Sequence, residues 1–293
     1  MRWWCSAVEA PWTWVPRPYL GVWVLCIGIA AWYALAWRAH RRTDAEPTDR
    51  DGSYMRRFAG GIVALWFASD WPVGALAGGY LMSVHMVQYL VYTLAAAPLL
   101  MLGTPAWLAD SVLDRLHLRR AWAVLSKPLV AVIVFNVILV ATHSPFAVDR
   151  FRSTQMGSFA MDMIWLTSGL VLWGPVINPI RSERISSDPM RIVYLFIAAA
   201  VLPMIPGGFI TFSGSPLFAT YELAPRVGMT ALHDQQLAGV LMKIGNVPVI
   251  WAVIAVIWFR WYEREHRADT RAPVKVGATV QRASSDVSAD GGG

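Results

Sequence analysis

Four stretches of this 293-residue chain set a metal- or proton-binding side chain among apolar neighbours. His85 stands between Met82 and Met86, with Gln88, Tyr89 and Tyr92 on the same helical face at i+3, i+4 and i+7. His143 closes an aliphatic run that begins at Pro128, and Asp162 lies in Ala160-Met161-Asp162-Met163-Ile164-Trp165, with no basic residue close to it in sequence. His233-Asp234 opens a further run that reaches Met242. Imidazole together with thioether favours a soft ion, above all Cu(I), whereas Mg and Ca want oxygen. His85, His143, Asp162, His233, Asp234 and Met242 are therefore the candidate metal ligands, and copper the candidate ion. Each has a plainer reading. Asp162 can bond a serine or tyrosine of a neighbouring helix, His85 a backbone carbonyl, and methionine is common filler between apolar helices.

What must position these residues is a membrane bundle. Residues of the set AVILMFWYC make up 56% of the chain, charged residues 15%, and the mean hydropathy is +0.44. A soluble domain carries about a quarter charged residues, so there is too little polar surface to cover a globule. Two cysteines, Cys5 and Cys26, make no disulfide framework and no CxxC pair. Seven runs approach the roughly 20 apolar residues that a bilayer core requires of a helix: Pro18–Trp37, a second that starts near Met55–Phe58, past Arg56 and Arg57, and ends around Ser69, then Gly79–Leu102, Pro128–His143, Gln155–Ile177, Ile192–Phe212 and Gln236–Phe259. The second is short. The expected fold is thus all-α, a polytopic bundle of seven transmembrane helices. Residues 1–17 form a short outer segment, 18–266 the membrane domain, and 267–293 a disordered tail. No signal-peptide cleavage pattern precedes the first run, which is expected to stay in the mature protein.

Lys and Arg counts orient the bundle. Six lie between the first two runs, four between the third and fourth, three between the fifth and sixth, and six in the tail. The opposite side holds five: Arg2, Arg17, Arg150, Arg152 and Arg226; Lys243 sits within the last run and completes the 25. The N-terminus is expected outside and the C-terminus in the cytoplasm. The basic pI of 9.6 follows from this bias next to anionic lipid, so no nucleic-acid partner is implied. His40, His117 and His266 fall among the cytoplasmic arginines and read as solvated. His85 and Asp162, six and seven residues into helices entering from outside, lie on the order of 9 and 10 Å deep. His143 and His233-Asp234 mark the same outer layer. Such groups in hydrocarbon cost several kcal/mol unless paired or wet, and they usually face the bundle interior. Asn136 reads as interhelical glue and Lys243 as a snorkelling side chain. The run Leu202-Pro203-Met204-Ile205-Pro206-Gly207-Gly208 must kink its helix. No serine–histidine, Walker or GxGxxG arrangement points to a hydrolase, kinase or dehydrogenase.

The motifs themselves resemble one family. His85-Met86-Val87-Gln88-Tyr89, continuing to Ala97-Pro98-Leu99-Leu100-Met101-Leu102-Gly103-Thr104-Pro105, is similar to the HMxQH…APPLLLLGxP signature of the polytopic cytochrome c oxidase caa3-type assembly factors (CtaG). Phe135-Asn136 through Thr142-His143-Ser144-Pro145 resembles that family's FN…WHLP segment. Leu172-Trp173-Gly174-Pro175-Val176 resembles FWWPV, and Asp234-Gln235-Gln236-Leu237-Ala238-Gly239-Val240-Leu241-Met242 resembles DQQLxGLxM. The likeness runs from about Ala59 to Glu263. Two positions depart: Tyr89 stands for the second histidine of HMxQH, and Met161-Asp162 for a Glu-His pair. The resemblance implies a non-enzymatic factor of the bacterial plasma membrane that matures a haem–copper oxidase, at the copper-loading stage, with oxidase subunits and membrane lipids as partners. Other readings are a copper transporter or tolerance protein, which needs donors in the inner half as well; a cytochrome with haem between His85 and His143; and a scaffold that binds no metal.

Overall fold

The computed structural model describes residues 2–43 and 48–269, and every regular element among them is helical. Besides a 3₁₀ turn at Arg181–Glu183, in chain order these are α1 (Leu20–Arg41), α2 (Asp51–Ser69), α3 (Val73–Gly79), α4 (Met82–Leu102), α5 (Ala106–Arg115), α6 (Arg119–Leu125), α7 (Pro128–Thr142), α8 (Pro145–Arg152), α9 (Gln155–Ile177), α10 (Asp188–Phe212), α11 (Ala219–Glu222), α12 (Ala231–Ile244) and α13 (Val247–Asp269). Five spans are long and apolar enough alone to cross a membrane: α1, α4, α9, α10 and the α12–α13 stretch. Two bent pairs raise the number to seven if each pair counts as one span: α2 with α3, bent by 46°, and α6 with α7, bent by 86°. The chain is a multi-pass membrane protein. Its outward faces agree: Leu129, Ile133, Val137 and Val140 form an exposed aliphatic stripe along α7, at the spacing of one helical face. The tail expected from residue 267 is helical as far as Asp269; the remainder lies outside the described residues.

Several expected boundaries shift for identifiable reasons. The run read as Gly79–Leu102 breaks at Tyr80-Leu81, because the Asp234 carboxylate accepts the Met82 and Ser83 amides and so starts a new helix there. The run read as Gln236–Phe259 begins earlier, at Ala231, where Thr230 caps the helix, and is interrupted at Gly245-Asn246 ahead of Pro248.

Prolines also reshape α4 and α10. Pro98 and Pro203 each lack an N–H, and the turns just before them widen into π-helix over Tyr92–Ala96 and Phe196–Val201. Carbonyls in a widened turn lose their regular partners, and hydrocarbon offers no replacement. Side chains from other helices supply it. Trp173 Nε1 donates to Thr93 O (2.9 Å), Asn136 Nδ2 to Ala198 O (3.2 Å), and Asn246 Nδ2 to Ala199 O. The Asn136 bond is the interhelical link expected of it.

α10 and α12 cross through a reciprocal glycine contact. A Cβ at Gly239 would stand 2.5 Å from Thr211 N and 2.8 Å from Gly207 O; one at Gly207 would meet Gly239 O at 3.0 Å. No side chain fits there without parting the helices. Gly239→Val is predicted to lower stability by about 1–3 kcal/mol, the usual cost of overpacking, read as a drop in the thermal midpoint of the detergent-solubilised protein. Gly208→Ala, at a position with open space, is expected to leave it unchanged.

Candidate functional site

Two imidazoles meet inside the bundle. His85, one turn into α4, is fully buried, and His143, which caps α7, is 4% exposed. Their ring centroids are 5.7 Å apart at 81°. Trp165 of α9 joins them, stacked on His143 (5.5 Å, 14°) and edge-on to His85 (4.7 Å). Tyr89, at the position of the family's second histidine, packs edge-on to His143 at 4.7 Å.

The hydrogen bonds fix which ring nitrogens carry protons. His143 Nδ1 lies 2.8 Å from Leu139 O, and a carbonyl can only accept, so Nδ1 bears the hydrogen. His85 Nδ1 lies 2.8 Å from Tyr221 Oη, which is also 2.6 Å from Ala77 O. The single phenolic hydrogen goes to that carbonyl, so Tyr221 Oη accepts from His85 Nδ1. In each neutral imidazole Nε2 is then a bare lone pair. Both Nε2 atoms are buried and without a hydrogen-bond partner. Anchoring one nitrogen and leaving the other free is the arrangement of metal-ligating histidines.

The other candidate residues are arranged around this pair. Asp162 does have a basic partner, contrary to the expectation from its immediate neighbours in sequence: Arg152, at the end of α8, donates from Nη2 to Oδ1 at 3.0 Å, and both side chains are 0% exposed. Counted by sequence among the arginines of the outer loops, Arg152 is instead folded into the interior. Trp4 Nε1 donates to Asp162 Oδ2 at 2.8 Å. Arg152 also reaches Gln88 Oε1 (3.0 Å) and lies over Trp165 at 5.0 Å, while its Nε and Nη1 stay buried and unpartnered. Asp234 is committed to the start of α4, accepting from Met82 N (2.6 Å), Ser83 N (3.1 Å) and Ser83 Oγ (2.5 Å). It therefore sets where His85 begins its turn. Its neighbour Gln235 accepts from Leu217 N (2.6 Å) and donates to Ser215 O (3.2 Å), holding the loop that leads to Tyr221. Thus Asp234-Gln235 positions His85 from both sides. His233 is exposed, and Met242 is buried in the same core as Met82, Met86 and Met161.

The N-terminal segment closes this end of the bundle. Trp3 and Trp4 donate their amides to Gln155 Oε1 (2.7 and 3.2 Å), and Cys5 Sγ lies 3.2 Å from Ser69 O. The segment rests on the glycines of α3: a Cβ at Gly74, Gly78 or Gly79 would come within 3.0–3.1 Å of Cys5 or Ser6. Trp4, Arg152, Trp165 and Tyr221 were not singled out from sequence. Trp4 and Tyr221 lie outside the apolar runs, and only the folded chain brings them to the histidines.

Among the described residues no three His, Cys, Asp or Glu side chains converge as a metal-binding group. Two neutral imidazoles without a carboxylate or thiolate fit a soft ion of low charge and low coordination number, Cu(I), better than a divalent ion that wants more ligands. Arg152 and Asp162 cancel each other's charge beside the pair. Removing one partner of a buried ion pair strands the other at a cost of about 3–5 kcal/mol. Arg152→Met alone is therefore predicted to be strongly destabilising, and Arg152→Met with Asp162→Leu to recover much of the loss, in thermal unfolding of the purified protein.

Known proteins supply the wider frame. An uncharacterized protein of Mycobacterium bovis and one of Mycobacterium tuberculosis are each 27% identical over 277 residues, covering 85% of this chain and 39% of theirs. The chain thus spans well under half the length of these relatives. No solved structure matches. The sequence profile of the cytochrome c oxidase caa3 assembly factors matches residues 31–264, a region holding His85, His143, Asp162 and the Asp234-Gln235 clamp. The chain belongs to the cytochrome c oxidase caa3 assembly factor family.

Proposed function

We propose that this protein is a non-enzymatic assembly factor of the bacterial plasma membrane that holds copper for the maturation of a haem–copper oxidase. In this reading the bundle crosses the bilayer seven times, with the N-terminus outside and the C-terminus in the cytoplasm. The nineteen Lys and Arg of the expected cytoplasmic segments support that orientation. The His85–His143 pair then lies near the outer face, and from there copper passes to an oxidase subunit in this reading.

The observation that carries the proposal is the pair of buried, unpartnered Nε2 atoms. Copper is cargo here, and the two Nε2 lone pairs are the donors this chain offers it. Tyr221 and the Leu139 carbonyl hold the rings in the donor tautomer. Asp234 and Gln235 fix the backbone that presents them. Trp165 and Tyr89 keep water away, which favours the monovalent state. A transport route needs donors in the inner half as well, and Asn178, at the other end of α9, is already engaged, donating to Ser126 Oγ (3.0 Å) and accepting from Ile180 N (3.0 Å).

Metal analysis of protein purified under reducing conditions tests the reading. Wild type is expected to retain about one copper per chain, and His85→Ala and His143→Ala to lose it while remaining folded. Deleting the gene is expected to remove the copper-centre spectral signals of the oxidase while its subunits are still made. Wild type free of copper under these conditions, with a deletion strain that keeps normal copper centres, would refute the proposal.

A further inference from the structure

We propose a second binding site, for one anionic glycerophospholipid, in the groove between α1 and α2 at the end of the bundle away from the histidines. The groove has a volume of about 640 Å³. Its floor is the parallel stack of Tyr33 on Phe58, 3.8 Å between centroids at 7°. Tyr33 is held there by a bond from its hydroxyl to Gly103 O (2.7 Å). Small and aliphatic side chains, Ala30, Ala34, Ala59 and Ile62, leave the upper groove open.

The charge at its mouth decides the occupant. Arg38, Arg41 and Arg42 line the same groove. Arg41 is engaged, bonding Asp51 at 2.8 Å, but exposed Arg38 and Arg42 make no ion pair among the described residues. Ala30, Ala34 and Arg38 follow one another at i+4 along α1, Arg42 caps its end, and all four line the groove. At 1.5 Å per residue, Ala30 and Arg38 are about 12 Å apart along the axis, close to half of a roughly 30 Å hydrocarbon core. A lipid whose phosphate meets Arg38 and Arg42 therefore lays an acyl chain along the two alanines and over the Tyr33–Phe58 stack. A zwitterionic lipid brings a cation to the same two arginines and is disfavoured.

The test is native mass spectrometry of the full chain in detergent with equimolar phosphatidylglycerol and phosphatidylcholine. Wild type is expected to retain phosphatidylglycerol on the order of tenfold over phosphatidylcholine, because basic side chains at the membrane surface attract anionic lipid. Arg38→Gln with Arg42→Gln is expected to bring the two lipids close to parity. Ala34→Trp, which fills the groove and keeps both arginines, is expected to reduce retention of phosphatidylglycerol at least fivefold. Arg57→Gln, exposed and outside the groove, is expected to behave as wild type. Equal retention of the two lipids by wild type overturns the proposal. So does a preference that survives Ala34→Trp, which would mean surface attraction without a groove. If the double arginine variant does not fold, Arg42→Gln and Ala34→Trp decide.

Discussion

A polar group inside an apolar bundle has no water to fall back on, and the buried Arg152–Asp162 pair shows how this chain meets that constraint. Both ends are fully enclosed, so neither charge is tolerable alone. The pair draws in Trp4 from the N-terminal segment, Gln88 from α4 and the face of Trp165 from α9. One ion pair thus ties together a segment before the first helix, a short helix and two long ones. The histidines sit against this frame, sharing Trp165 with it.

The same requirement governs the helix starts. Asp70 accepts the Tyr19 amide ahead of α1 (3.0 Å), Asp149 accepts the Ala219 and Thr220 amides of α11, and Asp234 accepts those of Met82 and Ser83. Asp234, a candidate ligand in the sequence, is thus consumed like Asp70 and Asp149 in holding amides that would otherwise be orphaned. Carbonyls released by the proline-linked π turns are met by Trp173, Asn136 and Asn246. Around Trp165, where most polar atoms find a partner, the two Nε2 atoms and two Arg152 nitrogens remain unmet. Of these only the Nε2 atoms are bare lone pairs, and a lone pair rather than an N–H is what an ion needs.

Much of this was legible in the sequence. Apolar runs located α1, α7 and α9 to within a few residues, since spans are dictated by hydrophobic length alone. The convergence of His85 with His143 was also readable, from their common depth. Partner choice was not. Arg152 is ten residues from Asp162, across the turn between α8 and α9, and charge counting assigns it to a loop. Depth arithmetic treats Asp162 and Asp234 alike as layer-mates of His85, yet one is an ion-pair partner and the other a helix cap. Tyr221 lies on the four-residue helix α11, too short to show a periodicity, so nothing local announces that its hydroxyl orients His85. Such roles depend on directions of side chains, which spacing along one helix does not encode between helices.

The donor role of His85 and His143 depends on where the imidazole protons sit, and nitrogen NMR of the apo protein with isotope-labelled histidine reads that directly. Near neutral pH, His85 and His143 are each predicted to give one protonated nitrogen, assigned to Nδ1, and one proton-free nitrogen, assigned to Nε2. A proton on Nε2 of either ring, as the other tautomer or as imidazolium, would contradict it, because no lone pair would then stand ready for an ion.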